Sequence, residues 1–500
     1  MAAVFGAASR SNVPGPMSIR LRIPTPDQLG KEHKVEASDD ETRLFDGKVL
    51  ASTRRIVPMR PRRLRTDNPS AFASSEALMT MLRFDGVDYL DGTASDPNSL
   101  GWMQGSPPPP DKRIRFQDDR FLEFPQNRWT LSHMRELVPT VNVWRGNGRA
   151  NTFGSPTVGQ EAAIDAITFD DMCGQNRRWG DSLLDTYTDG IVVLHRGRVV
   201  YERYVGALKP QIQHTCFSVT KSYVATLAAT LVHEGELDDA QTMVHVLPEM
   251  AGTAYADATL REVLDMQIGV AYSELYADPK AQFWDYARAG GFRARAPDYD
   301  GPSCLHEFLV TLRKEGEHGR AFAYKSVNPE VLCWAMQRAT GLPLAELLSQ
   351  RLWSQLGCEQ DGYLTVDSVG VATGGGGLSA TLRDLARFGE LMRCEGAQEG
   401  RQVIPAAVVA DIQRGGDPSK FTLAGYTSLP GYSYRNMWWV THNEHGAYEA
   451  RGIHGQRLHI APGAEMVVAR FASHPIAANF ANDPITIPAL LALGRMLKDA

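Results

Sequence analysis

Between Asp189 and Val205, two apolar runs, Ile191-Val192-Val193-Leu194 and Val199-Val200-Tyr201, flank the polar pair Arg196-Gly197. Short apolar runs on either side of a glycine turn predict a β-hairpin. Directly after it, the stretch from Val219 to Val232 carries Tyr223, Val224, Leu227, Ala228 and Leu231 at helical spacing and stops at Glu234-Gly235. That pattern predicts a helix buried on most faces and ended by a glycine. A helical middle section follows, with segments over Leu260 to Met266, Leu305 to Lys314 and Glu330 to Thr340. Thr381 with Asp384 predicts the capped start of a helix reaching about Met392. From Tyr432 to Ala472 the pattern returns to strands: Met437-Trp438-Trp439-Val440, Leu458-His459-Ile460 before the Pro462-Gly463 turn, and Met466-Val467-Val468. A last helix is predicted over Pro488 to Lys498. Strand-rich segments at both ends of a helical middle predict an α/β (α+β) fold, with one antiparallel sheet built from both chain ends, flanking helices and an inserted helical lobe.

The first 85 residues differ in texture. They are Pro- and Arg-rich and weakly periodic, with Arg54, Arg55, Arg60, Arg62, Arg63 and Arg65 close together, and they predict a flexible N-terminal extension ahead of a catalytic domain over 86–500. Pro107 to Pro110 predict a rigid polyproline connector. At 500 residues and 43% apolar content the chain can bury a large core. A net charge of −6 with dispersed basic residues gives no support for a nucleic-acid or membrane partner. No apolar run approaches the roughly 18 to 20 residues needed to span a bilayer, and no secretory leader is legible, so the expected location is cytoplasmic. The scattered cysteines, Cys173, Cys216, Cys304, Cys333, Cys358 and Cys394, form no Cys-x-x-Cys pair. Neither a zinc site nor a disulfide framework is therefore expected.

The candidate chemistry begins at the start of the buried helix. In Cys216-Phe217-Ser218-Val219-Thr220-Lys221-Ser222, the three-residue spacing sets a hydroxyl and an amine on one face of the first turn. There Lys221 can ease deprotonation of Ser218, and the free N–H groups of a helix N-terminus favour a developing oxyanion. A capping serine beside a snorkelling lysine would leave the same tetrad. Cys216, two residues earlier, reads as a buried small hydrophobe.

The order of segments narrows the choice. A hairpin, a Ser-x-x-Lys helix, a helical insert, a Tyr-centred loop and a Gly-containing strand resemble the serine β-lactamase and penicillin-recognising superfamily. Within it the resemblance is to the 6-aminohexanoate-dimer hydrolase branch, carried by Asn127-Arg128-Trp129, Thr186-Tyr187-Thr188-Asp189, Leu264-Asp265-Met266-Gln267-Ile268, Tyr276-Ala277-Asp278-Pro279, Arg383-Asp384-Leu385-Ala386-Arg387 and Gly452-Ile453-His454-Gly455-Gln456. It covers about residues 95 to 500 and implies a β-lactamase/transpeptidase-like fold.

By that resemblance Tyr324, in Tyr324-Lys325-Ser326-Val327-Asn328, is the general acid/base, its pKa lowered by the charge of Lys221. Ser326 stands where related enzymes carry Asn. Ile453 corresponds to an oxyanion donor paired with the N–H of Ser218. His454 and Gly455 stand in the strand where β-lactamases carry Lys-Thr-Gly, and the missing Lys argues against β-lactam turnover. Tyr276 matches a loop tyrosine that contacts the scissile amide nitrogen, a contact that raises turnover rather than affinity. Ser326, His454 and Gly455, with Tyr276, make the candidate substrate-binding set. The branch uses no cofactor or metal, and its enzymes are often homodimers.

Three other patterns are discounted. Gly374 to Gly377 lacks the Gly-Lys-Ser/Thr of a phosphate loop and reads as a close-packed turn beside the site. His442-Asn443-Glu444-His445 lacks a His-Glu-x-x-His helix and reads as a solvated turn. The Gly-x-Ser-x-Gly elbow of α/β-hydrolases is absent. The expected protein is a serine hydrolase of small linear amides or esters. A carboxylesterase on the same fold and a catalytically silent binding protein are the alternatives, the last requiring loss of Ser218, Lys221 or Tyr324, all of which are present.

Overall fold

The computed structural model describes residues 81–499 apart from Asp85 and Ala277. Most of the 1–85 segment expected to be a flexible extension lies outside the described residues. The boundary expected at 85/86 falls between the paired strands Met81–Phe84 and Val87–Leu90.

Seven antiparallel strands form the main sheet: β1 (Thr188–His195), β2 (Arg198–Tyr204), β3 (Ser433–Arg435), β4 (Trp438–Val440), β5 (Tyr448–Gly452), β6 (Gln456–Ala461) and β7 (Met466–Ala472). Their spatial order is β3-β4-β5-β6-β7-β1-β2, so the early hairpin completes a sheet whose other strands come from the end of the chain. β1 is buried along its whole length. Val192 and Leu194 face the core that holds the Ser218 helix, while Ile191 and Val193 pack under the C-terminal helix. Burial on both faces is why β1 reads as a continuous apolar run rather than an alternation.

Four helices position the site. The helix that follows Ser218, α1 (Val219–Glu234), is buried from Val219 to Leu231 and ends at Gly235, whose φ of +79° closes the last turn onto the carbonyls of Leu231 and Val232. α2 (Val327–Thr340) packs against α1, and α3 (Leu382–Arg393) starts at the predicted cap, where the Thr381 hydroxyl accepts from the Asp384 N–H. α4 (Asp483–Lys498) begins five residues before the expected Pro488. Pro488 cannot donate to the Pro484 carbonyl, and the Met172 N–H takes that acceptor instead at 2.9 Å, so the helix runs through the proline. Leu305 to Lys314, read as one helix, is helical only over Leu305–Leu309.

A second, four-stranded sheet joins Thr140–Val143, Gly362–Thr365, Leu378–Ala380 and His214–Thr215, the last just before Ser218 in the chain. Its strands of two to four residues are too short to show a period. Past Pro107 to Pro110 the chain passes at once into a short 3₁₀ turn, Pro110–Lys112. No helix among the described residues is long and apolar enough to cross a membrane.

Behind the sheet a buried ionic cluster ties β5 and β6 to α4. Arg457 bridges Glu449 (3.0 Å) and Asp483 (2.6 Å), Arg451 reaches Asp483 (2.6 Å), and His459 Nδ1 lies 2.7 Å from Glu449. Although burial opposes it, this surround of cations and donors holds the Glu449 carboxyl well below the usual carboxylate range. A carboxyl depressed in the folded state stabilises it fully above the unfolded value of about 4.3 and loses that contribution as pH falls below it. Glu449→Gln is expected to lower unfolding free energy by about 2 kcal/mol at pH 7, measured by denaturant titration, with the gap from wild type closing toward pH 3.

Candidate active site

Ser218 stands at the mouth of α1, and its hydroxyl caps nothing. Lys221 Nζ instead donates to Ser218 Oγ at 2.7 Å and to the carbonyl of Gly375. Between a capping serine and a serine paired with an amine, the geometry is that of the second. Phe217, just before it, has φ of +45°, a left-handed conformation costly for an aromatic residue, which turns Ser218 onto the helix start. The turn is anchored on both sides. The Thr220 hydroxyl donates to the Phe217 carbonyl at 2.6 Å and accepts from Leu378 N–H at 3.1 Å, while Cys216 N–H donates to the Leu378 carbonyl.

Lys221 is almost fully buried, and that burial pulls its pKa down to about 8 against the opposing charges of Glu274 and Glu330. An amine near 8 is a usable base close to neutrality. Its ammonium lies 5.2 Å from the ring centre of Tyr324, whose hydroxyl is hydrogen-bonded to Ser218. The expectation that Lys221 lowers the Tyr324 pKa is not met. Burial, reinforced by the nearby Glu274 charge, pushes that phenol well above its ordinary value.

Gly452 brings the end of β5 against the turn before Ser218: a Cβ there would sit 2.6 Å from the Cys216 carbonyl oxygen, so only glycine permits the approach. Ile453 follows at once, in a tight turn over Ile453–Gly455. His454 lies behind it, its ring 5.6 Å from Phe217 and its Nδ1 2.7 Å from the His474 carbonyl, to which it must donate. Burial lowers its pKa to about 4, leaving a neutral imidazole that cannot replace the cation of a Lys-Thr-Gly strand. Gly455 turns inward, with its carbonyl accepting from Arg470 at 3.2 Å and its α-carbon against Ala472.

Two carboxylates that the sequence did not single out organise the rest. Glu330, near the start of α2, accepts from the N–H groups of Gly374 and Gly375 at 2.8 Å each and from the Tyr286 hydroxyl at 2.6 Å. It thereby fixes the carbonyl that holds Lys221. Glu274 accepts from the Tyr276 hydroxyl (2.7 Å), the Ser326 hydroxyl (2.6 Å) and the Ser326 N–H (2.6 Å). Ser326 therefore braces the Tyr324 turn and has no hydroxyl proton to spare for a substrate. The available signal was an acidic residue inside each otherwise apolar or motif segment, Tyr272-Ser273-Glu274 and Asn328-Pro329-Glu330. An aromatic wall completes the site: Trp439 lies 5.7 Å from Tyr324 and packs with Phe322, Phe421, Tyr426 and Tyr434.

The discounted segments have other duties. Gly374 to Gly377 is the close-packed turn under Lys221. His442 to His445 is a turn between β4 and β5, where His442 meets the Ser433 hydroxyl at 2.7 Å; His445 is buried rather than solvated, packed against α4. Among the described residues no group of three or more His, Cys, Asp or Glu is arranged to hold a metal ion.

With this geometry in hand, similarity to known proteins is decisive. Residues 181–487 match the β-lactamase family. The chain belongs to that family. It is 37% identical over 359 residues to the 6-aminohexanoate-dimer hydrolase of Paenarthrobacter ureafaciens, covering 71% of this chain and 88% of that protein. A Bacillus anthracis structure provisionally named a 6-aminohexanoate-dimer hydrolase superposes with a TM-score of 0.69 at 29% identity, over 76% of this chain and 96% of its own. A penicillin-binding-protein homologue from Caulobacter crescentus shares the fold at a TM-score of 0.50 and 17% identity, over 68% and 99% of the two chains. The protein is thus a hydrolase of the serine β-lactamase type and a homologue of 6-aminohexanoate-dimer hydrolase. Two of the motif segments carry buried ion pairs: Arg128 pairs with Asp189 at 3.0 Å, and Arg387 pairs with Asp384 at the start of α3.

Proposed function

We propose that the protein hydrolyses linear amides of the 6-aminohexanoate-dimer type through an acyl-enzyme on Ser218. The observation that carries this reading is the 2.7 Å contact between Ser218 Oγ and a buried Lys221 whose pKa is about 8. Neutral Lys221 takes the Ser218 proton as Oγ attacks the carbonyl carbon, and the N–H groups of Ser218 and Ile453 receive the oxyanion. Tyr324, a phenol bonded to Ser218, gives its proton to the leaving nitrogen as the C–N bond breaks and recovers one from Lys221. Water then attacks the ester by the reverse route. The base is thus Lys221, with Tyr324 as the relay, because burial keeps the Tyr324 proton in place. The wall of Phe322, Phe421, Tyr426, Tyr434 and Trp439 suits a polymethylene chain, and a neutral His454 offers no cation for the carboxylate of a β-lactam.

The test is release of monomer from the 6-aminohexanoate linear dimer, with a p-nitrophenyl ester in parallel and intact mass followed for the acyl adduct. Both are expected to turn over. Because the base must be neutral, kcat/KM is expected to rise through about pH 8 and level above it. A rate that falls across that window would remove Lys221 as the base, and ester turnover alone would make the protein a carboxylesterase.

A further inference from the structure

We propose that the protein binds one monatomic anion, chloride in ordinary buffers, in a buried cavity lined by the Arg470 guanidinium and the Trp179 indole. This site is separate from the Ser218 site, and its occupancy does not depend on the hydrolase reading above.

The cavity, about 20 Å³, is walled by β1, β7, α4 and the helix Trp179–Asp185, and every residue lining it is buried. Its size suits a single water-sized particle. Leu183, Ile191, Ile485 and Leu490 supply apolar walls. The hydroxyl protons of Ser182, Thr186 and Thr486 are spent on the Trp179 carbonyl, the Ser182 carbonyl and Asn482 Oδ1. What the side chains have left to offer a ligand is N–H. Trp179 is 1% exposed, and its Nε1 has no acceptor among the described residues, a costly state for a buried donor. A guanidinium carries five N–H groups, and Arg470 spends three: Nε on Thr188 Oγ1 at 3.0 Å, Nη1 on the Gly455 carbonyl at 3.2 Å and Nη2 on the Thr186 carbonyl at 2.7 Å. Two N–H groups of Arg470 remain.

Charge separates an ion from a water here. All three partners of Arg470 are neutral oxygens. The carboxylates that favour its ionisation, Asp189 and Asp483, are paired elsewhere, Asp189 with Arg128 and Asp483 with Arg451 and Arg457. With Glu449 held by Arg457, the buried guanidiniums of Arg128, Arg451, Arg457 and Arg470 face only Asp189, Glu449 and Asp483, and the surplus positive charge rests on Arg470. Burial and the neighbouring Arg457 pull its pKa down to about 9, so near neutrality it is a cation that no side chain bonds and neutralises. A water in the cavity accepts the spare N–H groups and leaves the charge unbalanced. A halide accepts them and balances it. An organic anion such as gluconate is too large for the space. Because the same guanidinium holds Gly455 to Thr186, the anion stabilises the junction between the Ile453–Gly455 turn and the segment that leads into β1.

Two measurements test it: anomalous diffraction from crystals of the protein grown in sodium bromide, and melting curves in chloride, bromide or gluconate at one ionic strength. A bromide peak is expected in the cavity beside Arg470 and Trp179. In solution, about 0.2 M chloride or bromide is expected to raise Tm by about 1 to 3 °C over gluconate, with saturation as halide replaces gluconate. Trp179→Phe keeps a ring edge-on to Tyr201 and removes the indole N–H, and it is expected to lose at least about half of that increment and to weaken the bromide peak. A cavity that scatters as water, with no anomalous signal, overturns the inference and makes this a hydration site. A bromide peak with no Tm increment at about 0.2 M overturns it as well, since binding then occurs at crystal concentration only. So does an increment of equal size in wild type and Trp179→Phe. If that variant does not fold, the wild-type map and melting curves decide alone. Neither readout involves turnover, so failure here is distinct from failure of the hydrolase reading.

Discussion

Ser218→Ala is expected to abolish turnover of amide and ester alike, a loss on the order of 10⁵-fold or more in kcat, with no acyl adduct by intact mass. No neighbouring group can substitute. The Thr220 hydroxyl is committed to the Phe217 carbonyl and the Leu378 N–H, and Cys216 is wholly buried, its thiol pushed far up by that burial and so never a thiolate. The same substitution is expected to leave the fold intact, with stability within about 1 kcal/mol of wild type, because the hydroxyl caps no helix. Loss of activity in a protein that melts normally therefore isolates chemistry from structure. Residual acyl transfer well above background would remove Ser218 as the nucleophile.

Glu330→Ala is expected to damage both stability and catalysis. The carboxylate is 2% exposed and receives three buried donors, Gly374 N–H, Gly375 N–H and the Tyr286 hydroxyl. Deleting it strands all three, at about 1 to 3 kcal/mol for each unpaired group before relaxation, and a net loss of about 3 to 5 kcal/mol is expected in denaturant unfolding. The Gly375 carbonyl that anchors Lys221 is then free to move, and kcat is expected to fall about a hundredfold. The sign of the accompanying pH effect is defined. Glu330 raises the Lys221 pKa, so its removal lets burial depress the amine further, and the rise of kcat/KM is expected to move below about pH 8. Unchanged stability together with an unchanged midpoint would show that Glu330 does not support the lysine.

Motif segments proved to be of two kinds. Ser218, Lys221 and Tyr324 were legible because their order along the chain is specific, and the structure brings their side chains together. Asn127-Arg128-Trp129, Thr186-Tyr187-Thr188-Asp189 and Leu264-Asp265-Met266 carried equal weight in the resemblance, yet they build the frame: Arg128 pairs with Asp189, Asp265 with Arg435, and the Met266 sulfur meets Asn328. A resemblance weighs recurrence and cannot separate a reacting group from a brace. Ser326 and Gly455, also at motif positions, bond to Glu274 and Arg470 respectively.

What the amino-acid sequence by itself determined is whatever depends on near neighbours. The β1–β2 hairpin follows from apolar runs about Arg196-Gly197, the buried helix α1 from its apolar spacing and Gly235, and the start of α3 from Thr381 and Asp384. The Ser218–Lys221 contact shares this origin, since a three-residue spacing on a helix sets it. Tertiary structure alone decided what depends on residues far apart. The Tyr324 pKa rises, against expectation, because burial and then the Glu274 charge dominate its surroundings. Lys221 falls to about 8 only because α2, the Gly375 turn and the sheet exclude water from it. Apart from the Tyr276 hydroxyl two positions from Glu274, the donors on Glu274 and Glu330 come from 44 to 52 positions away. Local pattern encodes spacing along the backbone, whereas desolvation and partner choice are properties of the packed volume, and that volume exists only once the chain has folded.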